Sequence, residues 1–324
     1  MSHSKENRCA VFAHYDAHNL VDDYVLHYLN ELAEIAKRIV FVSDCNLPPE
    51  ELLKVSTITN LQISGRHGEY DFGSYKRGYH LLKEMDLNQY EELVFCNDSC
   101  YGPLSPLSDI WNNTPTISAD FWGLTSGRDP HFDHHIQSFF LVFKKRVFTS
   151  EIFSAFMNSI KAEEYKMDVV EKYEVGLYQK LRTAGFNGTA LFDETSLHVN
   201  PSIGSPFEII EKGFPFLKVD LLRNNPVGVA QLHAYNSYTS DTLQQLIQRN
   251  LERTAPLYQN FMHYRFRPIK KHIIHPLVFL IRLKNSKGLS ILRVKFLGLQ
   301  IFKLQLRSSP SIGSTHKSDR ALKS

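Results

Sequence analysis

An α/β fold built on a mostly parallel, doubly wound sheet is the architecture this sequence predicts. Three observations predict it. Short apolar runs alternate with helix-like segments through the first hundred residues, which is the pattern of repeated βαβ units. Two of those runs, CAVFA (9–13) and LVFC (93–96), lead straight into polar, acid-bearing loops. Open α/β sheets keep their ligand crevice at such carboxyl ends of strands.

The elements follow in order. CAVFA (9–13) is the first strand, 21–38 an amphipathic helix, and IVFVS (39–43) the second strand. A short helix over 48–55, a strand at 61–64, a helix over 75–85 and the strand at 93–96 complete the alternation. The pattern then changes. DFWGLT (120–125) and QSFFLVF (137–143) read as short aromatic strands, and 150–160 and 169–184 as helices, the second stopped by Gly185. Segment 187–240 is rich in Pro, Gly and Asn and reads as irregular, followed by a short helix over 241–250.

At 324 residues the chain has room for one large domain or two small ones, and 43% hydrophobic with 22% charged residues is ordinary for a globular protein. The polar start, MSHSKENRC, predicts no secretory leader, and no apolar run is long enough to span a bilayer. The cysteines at 9, 45, 96 and 100 have neither metal nor disulfide spacing, which fits free thiols in a reducing cytoplasm. Charge is strongly divided. Residues 1–252 carry 22 Lys and Arg against 33 Asp and Glu, whereas 253–324 carry 15 against one. We therefore expect a main domain over 8–252, with halves at about 8–125 and 126–252, and a basic C-terminal tail over 253–324. In the tail, ILRVKFLGLQIFKLQLR (291–307) mixes cations with apolar side chains. It reads as a hairpin broken at Gly298, as a strand pair with a solvated basic face, or as an amphipathic segment lying on the inner membrane surface. A nucleic-acid partner is not expected, because the acidic body would repel a phosphate backbone and no recognition motif is present.

Several positions carry chemistry. Asp98, between Asn97 and Ser99 at the end of the fourth strand, suits a hard divalent cation, Mg2+ or Mn2+, holding a diphosphate. It equally suits a cap on the Gly102-Pro103 turn. Arg66, Asp71 and Lys76 fall in a glycine-punctuated loop, where they would hold a phosphate or ribose or else form a local ion pair. His14 and Asp16 leave the first strand, in the loop that often touches a nucleotide, though Asp16 also suits a helix cap. The run HFDHH places His131, His134 and His135 around Asp133; lacking a helical His-x-x-x-His pair, it reads as a solvated polar loop rather than a zinc site. Glu174, one turn before the Leu177–Leu181 stripe, is either a surface glutamate or a general base facing a cleft.

Taken together, HYDAHNLVDDYVLHYL (14–29), the YDFGSYKRG loop, VFCNDSCYGPLSPL, DFWGLT, HIQSFFLVFKK and FPFLKVDLLRNNP (214–226) resemble the rhamnan synthesis protein F family, over about residues 8–235. That resemblance implies an A-type glycosyltransferase fold, Rossmann-like, with a basic C-terminal extension. It implies transfer of L-rhamnose or a related sugar from a dTDP-sugar donor to a lipid-linked glycan acceptor, by an enzyme peripheral on the inner face of the cell membrane. In the A-type plan Asn97-Asp98-Ser99 stands where Asp-x-Asp holds the metal, and Glu174 where the base sits. Asp16, Arg66 and Asp71 would frame the nucleotide. The missing first Asp also leaves room for a rival: a non-catalytic assembly factor that binds partner enzymes at the membrane.

Overall fold

The computed structural model describes residues 5–113, 118–129, 132–193 and 200–259, with the backbone of three further strands between 279 and 307. Strands β1 (Arg8–His14), β2 (Arg38–Ser43), β3 (Gln62–Ser64) and β4 (Glu92–Asn97) are joined by α1 (Asp23–Ile35), α2 (Pro49–Ser56) and α3 (Tyr70–Glu84). Next come β5 (Cys100–Tyr101), α4 (Ser108–Asn113), β6 (Phe121–Gly123), the hairpin of β7 (Ser126–Asp129) and β8 (Phe132–Ile136), and β9 (Phe140–Lys144). Helices α5 (Lys145–Phe148), α6 (Glu151–Ser159), α7 (Lys166–Val169) and α8 (Gly176–Thr183) precede β10 (Gly188–Ala190). The remainder holds α9 (Pro201–Gly204), α10 (Pro206–Glu211), β11 (Leu217–Lys218), α11 (Val219–Asn224) and α12 (Asp241–Gln259).

Seven strands form one sheet in the order β10-β6-β9-β4-β1-β2-β3. The pairs β1–β2, β1–β4, β2–β3 and β10–β6 are parallel, and β9 runs antiparallel to both β4 and β6. The expected α/β, mostly parallel sheet is thus present. All seven residues of β1 are buried, as parallel sheets covered on both faces require. Ala10 and Phe12 pack on one side with α1 residues such as Tyr28 and Leu32. Cys9, Val11 and Ala13 pack on the other with Phe72, Tyr75 and Tyr79 of α3 and with Phe153 of α6. Each such aromatic or aliphatic side chain contributes about 1.5–3 kcal/mol by leaving water.

Three sequence expectations need correction. Helix α3 begins at Tyr70, five residues early, so Asp71 and Lys76 are helical and not in a loop. The cause is a tertiary anchor: the Asp44 carboxylate accepts the His67 and Gly68 N–H groups at 2.6 and 2.9 Å and pins the turn before the helix. The helix expected over 169–184 is three pieces, with a π-turn over Val170–Val175 between α7 and α8. Segment 187–240 is not irregular but contains a strand of the main sheet and several short helices. Helix α12 extends past 250, and among the described residues no helix is long and apolar enough to cross a membrane.

Backbone contacts divide the chain into units 1–265 and 266–324. The second contains an antiparallel sheet of β12 (Phe279–Lys284), β13 (Leu289–Phe296) and β14 (Leu299–Arg307). Strands β13 and β14 pair on either side of Gly298, the position at which a hairpin is expected.

The α3–β1 contact depends on one absent side chain. A Cβ on Gly78 would stand 2.3 Å from Val11 Cγ1. Gly78→Ala should therefore destabilise the protein by about 1–3 kcal/mol through overpacking, even though alanine favours a helix by about 1 kcal/mol. Urea denaturation reads this directly, and an unchanged or higher midpoint would refute the contact.

Candidate active site

The carboxyl ends of β1, β2 and β4 lie side by side, so the loops leaving them meet. The loop after β4 is tied to β1: Asp98 N–H donates to Ala13 O at 3.2 Å, and Asp98 Oδ2 accepts Tyr15 N–H at 2.8 Å. Tyr24 of α1 donates its hydroxyl to Asp98 O at 2.9 Å. Asn97 faces two ways. Its Nδ2 donates to Asp71 Oδ2 at 2.8 Å, and its Oδ1 accepts from Ser99 N and Ser99 Oγ at 3.1 and 2.6 Å. Asp71, Asn97, Asp98 and Ser99 are therefore one cluster. An aspartate at position 97 would turn a carboxylate towards Asp71; the amide bonds to it instead. Asp71, in the first turn of α3, thus places a carboxylate beside Asn97.

The electrostatics are those of an acid cluster short of positive charge. Burial pushes the Asp98 carboxyl well above the usual carboxylate range, Asp71 adds to the effect, and the Tyr15 N–H opposes it. Burial also raises Asp71, against Lys166, the Asn97 amide and Lys218. His14 stands 3.9 Å from Asp98 Oδ2 and contacts Ser43 Oγ at 2.9 Å. Burial lowers its pKa to about 4, so near neutral pH it offers Asp98 no counter-charge. A divalent cation bound by one or two carboxylates, with waters and a diphosphate completing its sphere, is the form Mg2+ commonly takes. Asp98 and Asp71 fit that role, although among the described residues no three metal-ligating side chains converge.

Glu174 lies on the π-turn, a feature frequent at functional sites. It is not the surface glutamate of a regular helix. One carboxylate oxygen accepts Ser138 N–H at 2.8 Å and the Ser138 hydroxyl, and the other contacts His135 Nε2 at 3.2 Å. Burial opposes its ionisation, but the bonds from His135 and Ser138 prevail and hold its pKa below the usual value. His135 sits on β8 and is 4% exposed, so it does not belong to a solvated loop; its burial is decided by contact with Glu174, which sequence spacing does not reveal. His134 lies 3.6 Å from Asp193, and His131 falls outside the described residues.

The remaining predicted positions divide. Asp16 is held by Arg253 of α12, with the closer contact at 2.6 Å, and receives His18 N–H at 2.8 Å. Burial works to raise its pKa, but the guanidinium keeps it low. Arg66 pairs with Asp44 at 2.5 Å, and its guanidinium lies 4.9 Å from the centre of the Tyr15 ring. Both side chains are about half exposed, making an open face on which a nucleobase can stack. Lys76 does not reach this cluster. Its Nζ binds Glu69 at 2.5 Å and Ile160 O at 2.8 Å, fastening α3 to the end of α6.

Asp44, Ser138, Lys218 and Arg253 were not singled out from sequence. Asp44 follows a strand in the way Asp98 does, so the strand-end rule points to it. Arg253, 237 residues from Asp16, has no local signal.

A profile of the family described as rhamnan synthesis protein F matches residues 39–275. The chain belongs to that family. The virulence protein VirA of Vibrio anguillarum is similar, at 27% identity over 198 residues, 51% of this chain and 62% of VirA. The protein y4gN of Sinorhizobium fredii is 24% identical over 185 residues, 56% of this chain and 48% of y4gN. The chain thus spans less than two thirds of either relative. Among solved structures, the glycosyltransferase GlyE of Streptococcus pneumoniae aligns with a TM-score of 0.41 at 10% identity, over 77% of this chain and 64% of GlyE. The mannosyltransferase Ktr4p of S. cerevisiae aligns with a TM-score of 0.32 at 8% identity, over 48% and 60%. Likenesses this slight carry no argument about activity.

Burial of His14 has a consequence for stability. Its pKa falls from 6.5 to about 4 on folding. Between those values the unfolded chain binds a proton that the folded chain refuses, so stability should fall as pH drops below about 6.5, by about 1.4 kcal/mol per pH unit for one such proton. His67, lowered to about 4 chiefly by burial, adds in the same direction. Urea unfolding between pH 7 and pH 5 should show the loss, and His14→Gln should flatten the slope by about one proton. A slope unaltered in the variant would contradict a neutral buried His14.

Proposed function

We propose that this protein is an inverting glycosyltransferase that moves L-rhamnose, or a related sugar, from a dTDP-sugar to a lipid-linked glycan in cell-surface polysaccharide synthesis. The observation that carries the reading is a pair of half-buried acids: Asp98 at the carboxyl end of a parallel strand, and Asp71 of α3, bonded to the Asn97 amide next to it. Family membership and the resemblance of the motifs support the sugar and the pathway.

In this reading Asp98 and Asp71 hold Mg2+ or Mn2+. Such a cation supplies positive charge to the departing diphosphate. Tyr15 and Arg66 offer the nucleobase an aromatic and cationic face, and Asp16, kept ionised by Arg253, meets the ribose. Glu174 accepts the proton of the acceptor hydroxyl. Ser138 fixes one of its oxygens and leaves the one shared with His135 for the exchange. A β-linked donor attacked in line then gives an α-linked product. The missing first Asp of the motif is the argument for a non-catalytic assembly factor; the Asp71 carboxylate beside Asn97 supports the enzyme reading instead.

Mass spectrometry of products from a panel of nucleotide sugars tests the assignment. Asp98→Asn should lower turnover by about 100-fold or more, and Glu174→Gln by about 10²–10⁴-fold with donor binding retained. Full transfer in Asp98→Asn would remove the metal role. Loss of donor binding together with turnover in Glu174→Gln would make that residue part of the donor site instead.

The basic segment 253–324, apart from Arg253, which pairs with Asp16, would meet the anionic inner leaflet, where a lipid-linked acceptor would sit. The full-length protein should then sediment with anionic vesicles at low salt and be partly released at high salt, because the attraction is screened. No binding at low salt would exclude the leaflet.

A further inference from the structure

Lys218 lies on β11, which pairs antiparallel with β5, placing it opposite Cys100 and next to the Asp98-Ser99 turn. Its Nζ donates to Ser99 Oγ at 3.2 Å and stands 3.4 Å from the centre of the Phe139 ring. The bond to Ser99 continues a chain: Ser99 donates to Asn97, and Asn97 donates to Asp71. The ammonium is thus oriented from two sides, by a hydroxyl and by an aromatic face. Ser99 accepts only one of the three N–H bonds that an ammonium can donate. Burial pulls its pKa down, while the Cys100 sulfur, within hydrogen-bonding reach of the ammonium, and the Glu174 and Asp71 carboxylates through space oppose that fall. Lys218 is therefore near enough to Asp71 and to Glu174 to feel both carboxylates.

We propose that the Lys218 ammonium is the protein's own cation for the diphosphate of the nucleotide donor, binding it whether or not a metal is present. The assignment rests on the transferase reading above. Charge balance motivates it. Once ionised to hold a cation, Asp71 and Asp98 would with Glu174 repel a diphosphate, and a single divalent ion does not neutralise three carboxylates and the donor. Lysine is a compact point charge suited to phosphate oxygens. With its ammonium already held over the Phe139 ring, less side-chain entropy remains to be lost on binding.

Calorimetric titration of the full-length protein tests this, with dTDP, UDP and GDP as probes, in EDTA and again with Mn2+. Wild type should bind at least one of them in EDTA. Lys218→Met should weaken that binding by about 10–100-fold, the scale of a charge-assisted hydrogen bond, and Lys218→Arg should recover most of it. Thermal melting checks that each variant is folded, and Lys218→Gln replaces the methionine variant if that one melts early. A lipid-borne diphosphate is the other source of the same chemistry, so farnesyl diphosphate forms a separate arm. Nucleotide binding in EDTA that the uncharged variant leaves unchanged overturns the assignment, and so does a loss confined to farnesyl diphosphate. Wild-type protein that binds none of the nucleotides, with or without Mn2+, overturns the transferase reading as well.

Discussion

Strand β1 is the constraint on which the rest of this structure depends. It is bonded to a parallel strand on each edge and covered on each face, and none of its seven residues is exposed. A strand so enclosed has one open direction, its carboxyl end. The β1 loop leaves there beside the ends of β2 and β4, so the consecutive residues His14, Tyr15 and Asp16 meet Asp44 and Asp98 from two segments far away in the sequence. Backbone bonds fix the meeting: Asp98 N–H to Ala13 O, and Asp44 N–H to His14 O at 2.9 Å. The core thus positions the site through the main chain, which loses less precision than a constellation carried on free loops.

Within that frame, burial and charge work against each other. The acids are enclosed enough to resist ionisation, and the nearest imidazole is held neutral by the same burial. Positive charge comes from cations placed singly: Arg253 for Asp16, Arg66 for Asp44, and Lys218 beside Ser99. The contrast between Asp16, held ionised by a direct guanidinium, and Asp98, pushed up without one, separates a carboxylate with a neighbouring counter-charge from one that lacks it.

Helix α12 shows how distant segments share this work. Its Arg253 reaches Asp16 and Asp22, and its Asn250 accepts the Tyr101 hydroxyl at 2.5 Å, so the helix clamps the first loop and the region after β4 together. By charge, Arg253 is the first residue of the basic segment. By contact, it belongs to the main unit and serves the loop after β1.

Sequence alone determined the sheet class, because hydrophobic alternation records which segments must be buried on two faces. It also determined the strand-end loops, and with them Asp98, His14 and Asp16, because a strand's carboxyl end is fixed by chain direction. Only the tertiary structure decided the rest. Asp71 became the partner of Asn97 because Asp44 anchors the start of α3, a bond across 23 residues that no local pattern encodes. Lys76, in the same stretch, was taken out of the site by Glu69 and Ile160. Glu174 turned inward because a π-turn broke the regular period and Ser138 and His135 stood ready to bind it. Lys218 and Arg253 entered from elements remote in sequence. Local periodicity tells which face of an element is buried; which charge meets which across the crevice depends on packing between segments far apart in the chain.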